Sequence, residues 1–112
     1  MSTEPDVWAS QLRKGVLELA LLGLLTGTPK YGSQLVGELA AHPALSITAG
    51  TAYPLLARLA KNGLVRTTWK ESPVGPPRKY YTLTDAGRAQ LRAMAATFDT
   101  VAAAVAAILE ER

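Results

Sequence analysis

The sequence predicts a mainly α fold with one small β-hairpin (α+β), in the order helix, helix, helix, hairpin, helix. Three observations carry this. Apolar residues recur at helical spacing over 9–26, 31–41 and 48–62. Two stretches, 65–71 and 78–83, alternate at period two and are rich in Val, Thr, Trp and Tyr. From Asp85 onward, apolar residues return at spacings of three and four. The first and third patterns put one stripe on a helix, and the second puts one face on a sheet.

Residues 1–8 are polar, contain Pro5 and read as a flexible arm ending at Trp8. The first helix, 9–26, carries Leu12, Val16, Leu17, Leu19, Leu21, Leu24 and Leu25 around most of its circumference, so it is expected to be buried on two sides. Thr26-Gly27-Thr28-Pro29 ends it: Gly27 suits a left-handed cap and Pro29 cannot continue a helix. The second helix, 31–41, places Leu35 and Leu39 on one line and stops at His42-Pro43. The third helix has Thr48 as its expected N-cap, buries Ala52, Leu55, Leu56 and Leu59, and ends at Asn62-Gly63. Pro54 lies inside it and conflicts with a start at Ala49, because the proline cannot bond to the carbonyl of Gly50. Expected consequences are a start nearer Thr51 or a loosened first turn. Ser72 to Pro77 form a proline-stiffened tip between the two strands. Thr84 then caps a long final helix, 85–110. Its positions Leu91, Met94, Phe98, Val101, Val105 and Ile108 make a heptad seam.

Length and composition narrow the classes. The chain has 112 residues, which fits one domain. It is 48% hydrophobic and 19% charged, a globular balance. It has no cysteine and one histidine, His42, so disulfides and thiolate metal sites are excluded and no metal or cofactor is expected. His42 reads as a cap of the second helix rather than a catalytic base, and no catalytic residues are expected: neither a phosphate loop nor a carboxylate pair is apparent. The most apolar run, Val16–Leu25, is too short to span a bilayer, and a cytoplasmic location is expected. A net charge of +3 permits a polyanionic partner without requiring one.

The order of elements is that of a winged helix-turn-helix with a C-terminal extension. In that motif the second helix of the pair enters the major groove and its outer face reads base edges. Here that face offers Thr51, Tyr53, Arg58 and Lys61, with the free amides around Ala49 and Gly50 facing a phosphate. Lys70, Arg78 and Lys79 lie at or beside the hairpin tip, where a wing would touch phosphates. An amphipathic helix with a solvated face and a charged hairpin would account for each feature singly; their combination favours double-stranded DNA. Of Trp69, Tyr80 and Tyr81, at least half are expected in the core. The final seam either pairs across a two-fold axis or folds back on the first helix, and both contacts can hold together.

Several stretches resemble the PadR family of regulators. They are Tyr31-Gly32, the run Gly50-Thr51-Ala52-Tyr53-Pro54-Leu55-Leu56-Ala57-Arg58-Leu59, then Asn62-Gly63-Leu64-Val65, and Arg78-Lys79-Tyr80-Tyr81-Thr82-Leu83-Thr84 with Gly87. The resemblance runs from about residue 12 to the end, and the single C-terminal helix resembles the small subfamily. It implies a homodimeric winged-helix repressor that binds a pseudo-palindromic operator. The implied DNA-contacting set is Tyr31, Thr48, Ala49, Gly50, Thr51, Tyr53, Arg58, Lys61, Lys70, Gly75, Arg78 and Lys79. The implied dimer contacts are Leu12, Val16, Leu91, Met94, Phe98, Val101, Val105 and Ile108. It further implies a flat hydrophobic effector between the two final helices, with Trp8, Leu12 and Phe98 as candidate contacts. Phe98 stands at the matching place as a phenylalanine rather than a tryptophan, and it also fits as plain seam packing. The expected organisation is an arm over 1–8, a DNA-binding domain over 9–84 and a dimerisation helix over 85–112. The rival reading is a winged-helix adaptor that binds protein and has no salt-dependent affinity for DNA.

Overall fold

Gly15 and Val16 divide the first expected helix in two. In this computed structural model, which describes residues 5–110, α1 spans Pro5–Lys14 and α2 spans Leu17–Leu24. Glycine is among the poorest helix formers, and the Val16 backbone (φ −123°, ψ −4°) leaves the helical region there. The expected loose arm is therefore helical from Pro5, a residue suited to a first helical turn; residues 1–4 lie outside the described range. The two halves also differ in surroundings. Leu17, Leu21 and Leu22 of α2 are buried, whereas Val7, Trp8 and Leu12 of α1 are exposed.

Gly27 turns the chain with φ +94°, as its place before Thr28-Pro29 predicts. Lys30–Tyr31 then form a strand, β1, too short for any alternation to announce it. Helix α3 (Gly32–Ala40) buries Leu35 and Leu39, and a 3₁₀ turn over Pro43–Leu45 leads to α4 (Ala49–Lys61). Gly63 adopts φ +76° and closes α4: its N–H bonds to the Ala60 carbonyl and the Leu64 N–H to that of Leu59. That pair of bonds is the Schellman arrangement, which satisfies two carbonyls a helix end would leave open.

Strands β2 (Val65–Ser72) and β3 (Gly75–Leu83) pair antiparallel, and β1 adds to the far side of β3, giving the order β1-β3-β2. The hairpin thus becomes a small three-stranded sheet. Its expected six-residue tip is shorter than predicted, since Ser72 pairs with Gly75 after an irregularity at Glu71. Pro76 and Pro77 fall within β3, beyond the two residues that β1 covers and opposite the irregularity in its ladder with β2 between Lys70 and Ser72, a place where a strand tolerates proline.

The core is leucine-rich. Leu21, Leu22, Leu35, Leu39, Leu56 and Leu59 are fully enclosed, with Val65, Tyr81 and Leu83 from the sheet closing one side. Helix α5 (Asp85–Glu110) leaves this body from the end of β3. The Thr84 hydroxyl accepts from the Gly87 N–H (3.0 Å) and donates to the Gly63 carbonyl (2.6 Å), so the cap also ties α5 to the end of α4. Leu91 and Met94 pack against the core. Beyond them, Phe98, Val101, Val105, Ile108 and Leu109 are exposed. Among the described residues α5 is also the one helix long and apolar enough to cross a membrane, with a mean hydropathy of 1.5 over its most apolar stretch. The alanine-rich α5, rather than Val16–Leu25, is thus the most membrane-like segment by length and composition.

Candidate nucleic-acid interface

Helix α4 begins at Ala49, so the conflict with Pro54 is met inside the helix and not by a later start. Thr48 occupies the N-cap position, but its hydroxyl makes no cap bond. Its carbonyl accepts from the Thr51 and Ala52 N–H groups (3.1 and 3.0 Å), and its hydroxyl lies 3.4 Å from that of Thr51. Thr48, Ala49, Gly50 and Thr51 are all exposed. Amides of an exposed first turn favour an anion such as phosphate.

The buried residues Ala52, Leu56 and Leu59 fix which way α4 faces. At 100° per residue, Gly50, Pro54, Ala57 and Lys61 lie opposite them, and all four are exposed. Thr51 and Arg58 fall on one flank, Tyr53 on the other. Arg58 is engaged by its own chain: its Nε donates to Glu18 Oε2 of α2 at 2.6 Å, and its terminal nitrogen reaches the same oxygen. Tyr53 leans against the start of α3, and a Cβ on Gly32 would lie 2.5 Å from the Tyr53 ring. Lys61 makes no such contact and remains exposed.

The wing brings its cations together by register. Lys70 pairs with Arg78, and Thr68 with Tyr80, on one face of the sheet. Tyr31 joins that face by pairing with Tyr80, and the two rings meet edge to face at 5.4 Å. The Arg78 guanidinium lies 4.4 Å from the Tyr31 ring centroid and the Lys70 ammonium 5.0 Å from that of Tyr80. On the opposite face, Lys79 sits 5.9 Å from the Tyr81 ring. Cation–ring contacts of this kind hold a side chain without neutralising its charge. Gly75 is exposed where β3 leaves the turn. A cleft of ≈ 480 Å³ separates α4 from the wing, walled by Tyr31, Tyr53, Ala57, Trp69, Arg78 and Lys79 among others. Of the three aromatic residues expected to be at least half in the core, Tyr81 alone is buried (7% exposed); Trp69 shares its face by register but lies farther out along the hairpin, past the core, and is 66% exposed, while Tyr80 is half-buried on the other face. Burial, and next the nearby Tyr53, push the Tyr81 hydroxyl above the ordinary tyrosine range.

The transcriptional regulator PadR-like family matches residues 21–93, more than half of the chain. The chain belongs to the PadR family. PadR-family regulators are transcription factors, and the chain is one of them by fold and sequence. A PadR-family transcriptional regulator from Eggerthella lenta DSM 2243 superposes with a TM-score of 0.84 at 37% identity, covering 96% of each chain. A PadR-like regulator from Bacillus cereus ATCC 14579 gives 0.79 at 37% identity, over 88% of this chain and 96% of its own. Bacillus subtilis PadR in complex with operator DNA gives 0.64 at 28% identity, over 69% of this chain and 44% of its own. No curated protein gives a match.

The PadR fold here also carries an apolar groove of ≈ 580 Å³ between the α1–α2 junction and α5. Leu12, Val16, Leu19, Met94, Phe98 and Val101 line it. Two of the three candidate effector contacts, Leu12 and Phe98, are thereby brought together, while Trp8 is not part of its wall. Two features escaped sequence reasoning, the partnership of Glu18 with Arg58 and the packing of Tyr31 on the wing, and neither leaves a signal in the spacing of residues along one element.

Proposed function

We propose that this PadR-family chain acts as a homodimeric, sequence-specific regulator of double-stranded DNA, a repressor released by a small hydrophobic effector. The observation that carries the reading is the exposed outer face of α4 set beside a wing bearing Lys70, Arg78 and Lys79. α4 enters the major groove, its first-turn amides meet a phosphate, and the wing cations grip the adjoining backbone. Tyr31, Thr48, Thr51 and Gly75 border the same surface, and Arg58 contributes from its place beside Glu18.

The exposed stripe of α5 supports pairing of two chains. Phe98, Val101, Val105 and Ile108 repeat at three and four residues, and a soluble monomer gains nothing from leaving them in water. Leu12 and Val16 border the same groove, and Leu91 and Met94 anchor the helix to the core. A second α5 laid along the stripe would extend the groove into a site for a flat apolar effector. An operator-binding regulator of this kind works in the cytoplasm, and the organisation is a reading domain over 9–84 with a dimerising segment over 85–112.

The test is a gel-shift titration on the DNA upstream of the chain's own gene and on a duplex selected from a random pool, at several salt concentrations. Competitor-resistant binding by two protomers per site, weakening with salt, is the expected result. Binding no tighter than to scrambled duplex, for the selected pool as well, would overturn the reading and leave the protein-binding adaptor in its place.

A further inference from the structure

The centre of the α4 face has no side-chain hydrogen-bonding group before Lys61. Gly50, Pro54 and Ala57 occupy it, and the longer polar side chains stand aside. Arg58 is drawn toward Glu18 of α2 on one flank, and Tyr53 leans on Gly32 of α3 on the other. A strip of ring methylenes, one methyl group and bare backbone remains for whatever the helix meets.

Nothing among the described residues accounts for Gly50 or Pro54. A Cβ at Gly50 would meet only the Thr48 hydroxyl oxygen, at 3.7 Å, an ordinary contact, and Gly50 is not among the glycines with positive φ. Glycine in a helix is weaker than alanine, and a proline in its sixth position removes a backbone bond. Two helix-weakening residues therefore lie on the outermost line of α4 with no internal reason to be there. A surface that must come very close to another body accounts for both.

Among the groups a base pair presents in the major groove, one matches an apolar strip: the C5-methyl of thymine. Resting on the DNA reading above, we propose that Pro54 and Ala57 read thymine methyl groups, with the missing side chain of Gly50 letting the backbone approach. Apolar contact and groove shape then set the sequence preference at the centre of each half-site. Hydrogen bonding is left to Lys61 and the flanks, and affinity to the phosphates.

The experiment replaces each thymine of a selected operator by deoxyuridine, which loses the methyl and keeps every hydrogen-bonding group. The full-length protein should bind about fourfold more weakly at one or two positions per half-site, the effect of one buried methyl-sized group. The Pro54→Ala and Ala57→Gly variants should lose that discrimination between thymine and uracil at those positions. Pro54→Ala removes a helix-interior proline, so its fold is not at risk, and thermal melting checks both variants. Specific binding that is indifferent to uracil at every position overturns the methyl proposal and leaves DNA binding standing. Sensitivity to uracil that both variants retain places the methyl contact elsewhere and overturns the assignment. Absence of specific binding by the unaltered protein overturns this proposal together with the reading it rests on.

Discussion

Arg58 and Glu18 meet across two helices forty positions apart in sequence, Nε to Oε2 at 2.6 Å. The side chains are 61% and 26% exposed, so the pair contributes at most about 1 kcal/mol to stability. Its importance lies in charge at the DNA-facing surface. Arg58→Ala should weaken operator binding, whereas Glu18→Gln removes a competing carboxylate and should tighten binding to any duplex at low salt. Gel shifts on operator and scrambled DNA measure both. Equal effects in the same direction would show that the pair acts only through folding.

The Lys79 ammonium projects over Tyr81 beside the cleft, free of any carboxylate partner among the described contacts. Lys79→Ala should lower the slope of log affinity against log salt by about 1, with little change in which sequence is preferred. A salt series on operator and scrambled duplex separates these two quantities.

Two glycines should respond to alanine in different ways. At Gly87 the added Cβ would overlap the Leu64 carbonyl oxygen, which belongs to backbone and cannot swing away. Gly87→Ala should cost about 1–3 kcal/mol of stability, read from the urea midpoint, since the start of α5 must shift. At Gly32 the obstacle is the Tyr53 ring, which is 44% exposed and can rotate. Gly32→Ala should cost less stability but weaken DNA binding, because it moves Tyr53 off its flank.

Tyr81 makes the stability of the fold fall at alkaline pH. Its folded pKa is raised above the usual 10.0, chiefly by burial. The unfolded chain therefore releases this proton first as pH rises. The contribution is fully present below about pH 10 and is lost as pH climbs through the raised folded value. Tyr81→Phe should flatten that part of the stability profile measured by denaturation between pH 9 and pH 11, windows set by the direction of the shift.

The exposed stripe on α5 predicts oligomeric state. Val101→Arg or Val105→Arg places a charge in the seam while touching no core residue. Each should convert a dimer into a monomer in sedimentation equilibrium and, by separating the two α4 helices, weaken operator binding at least about tenfold. Unchanged mass with either variant would move the dimer contact elsewhere.

Local chemistry determined much of this protein in sequence. Periodicity identified α3, α4, β2, β3 and α5. Turn residues placed their ends, because Gly27 and Gly63 are required where φ is positive and Thr84 where a helix needs a cap. The motif residues also pointed to the family before any coordinates. Tertiary structure decided what local patterns do not encode. Packing left α1 exposed at Val7, Trp8 and Leu12 while it buried Leu17, Leu21 and Leu22 of α2, although the apolar pattern runs through both. Strand β1 is two residues long and exists because Tyr80 and Tyr81 offer an open edge. The orientation of Arg58 depends on a carboxylate brought in by another helix. Spacing along one chain specifies which face a side chain takes; what waits on that face is fixed only when the elements pack together.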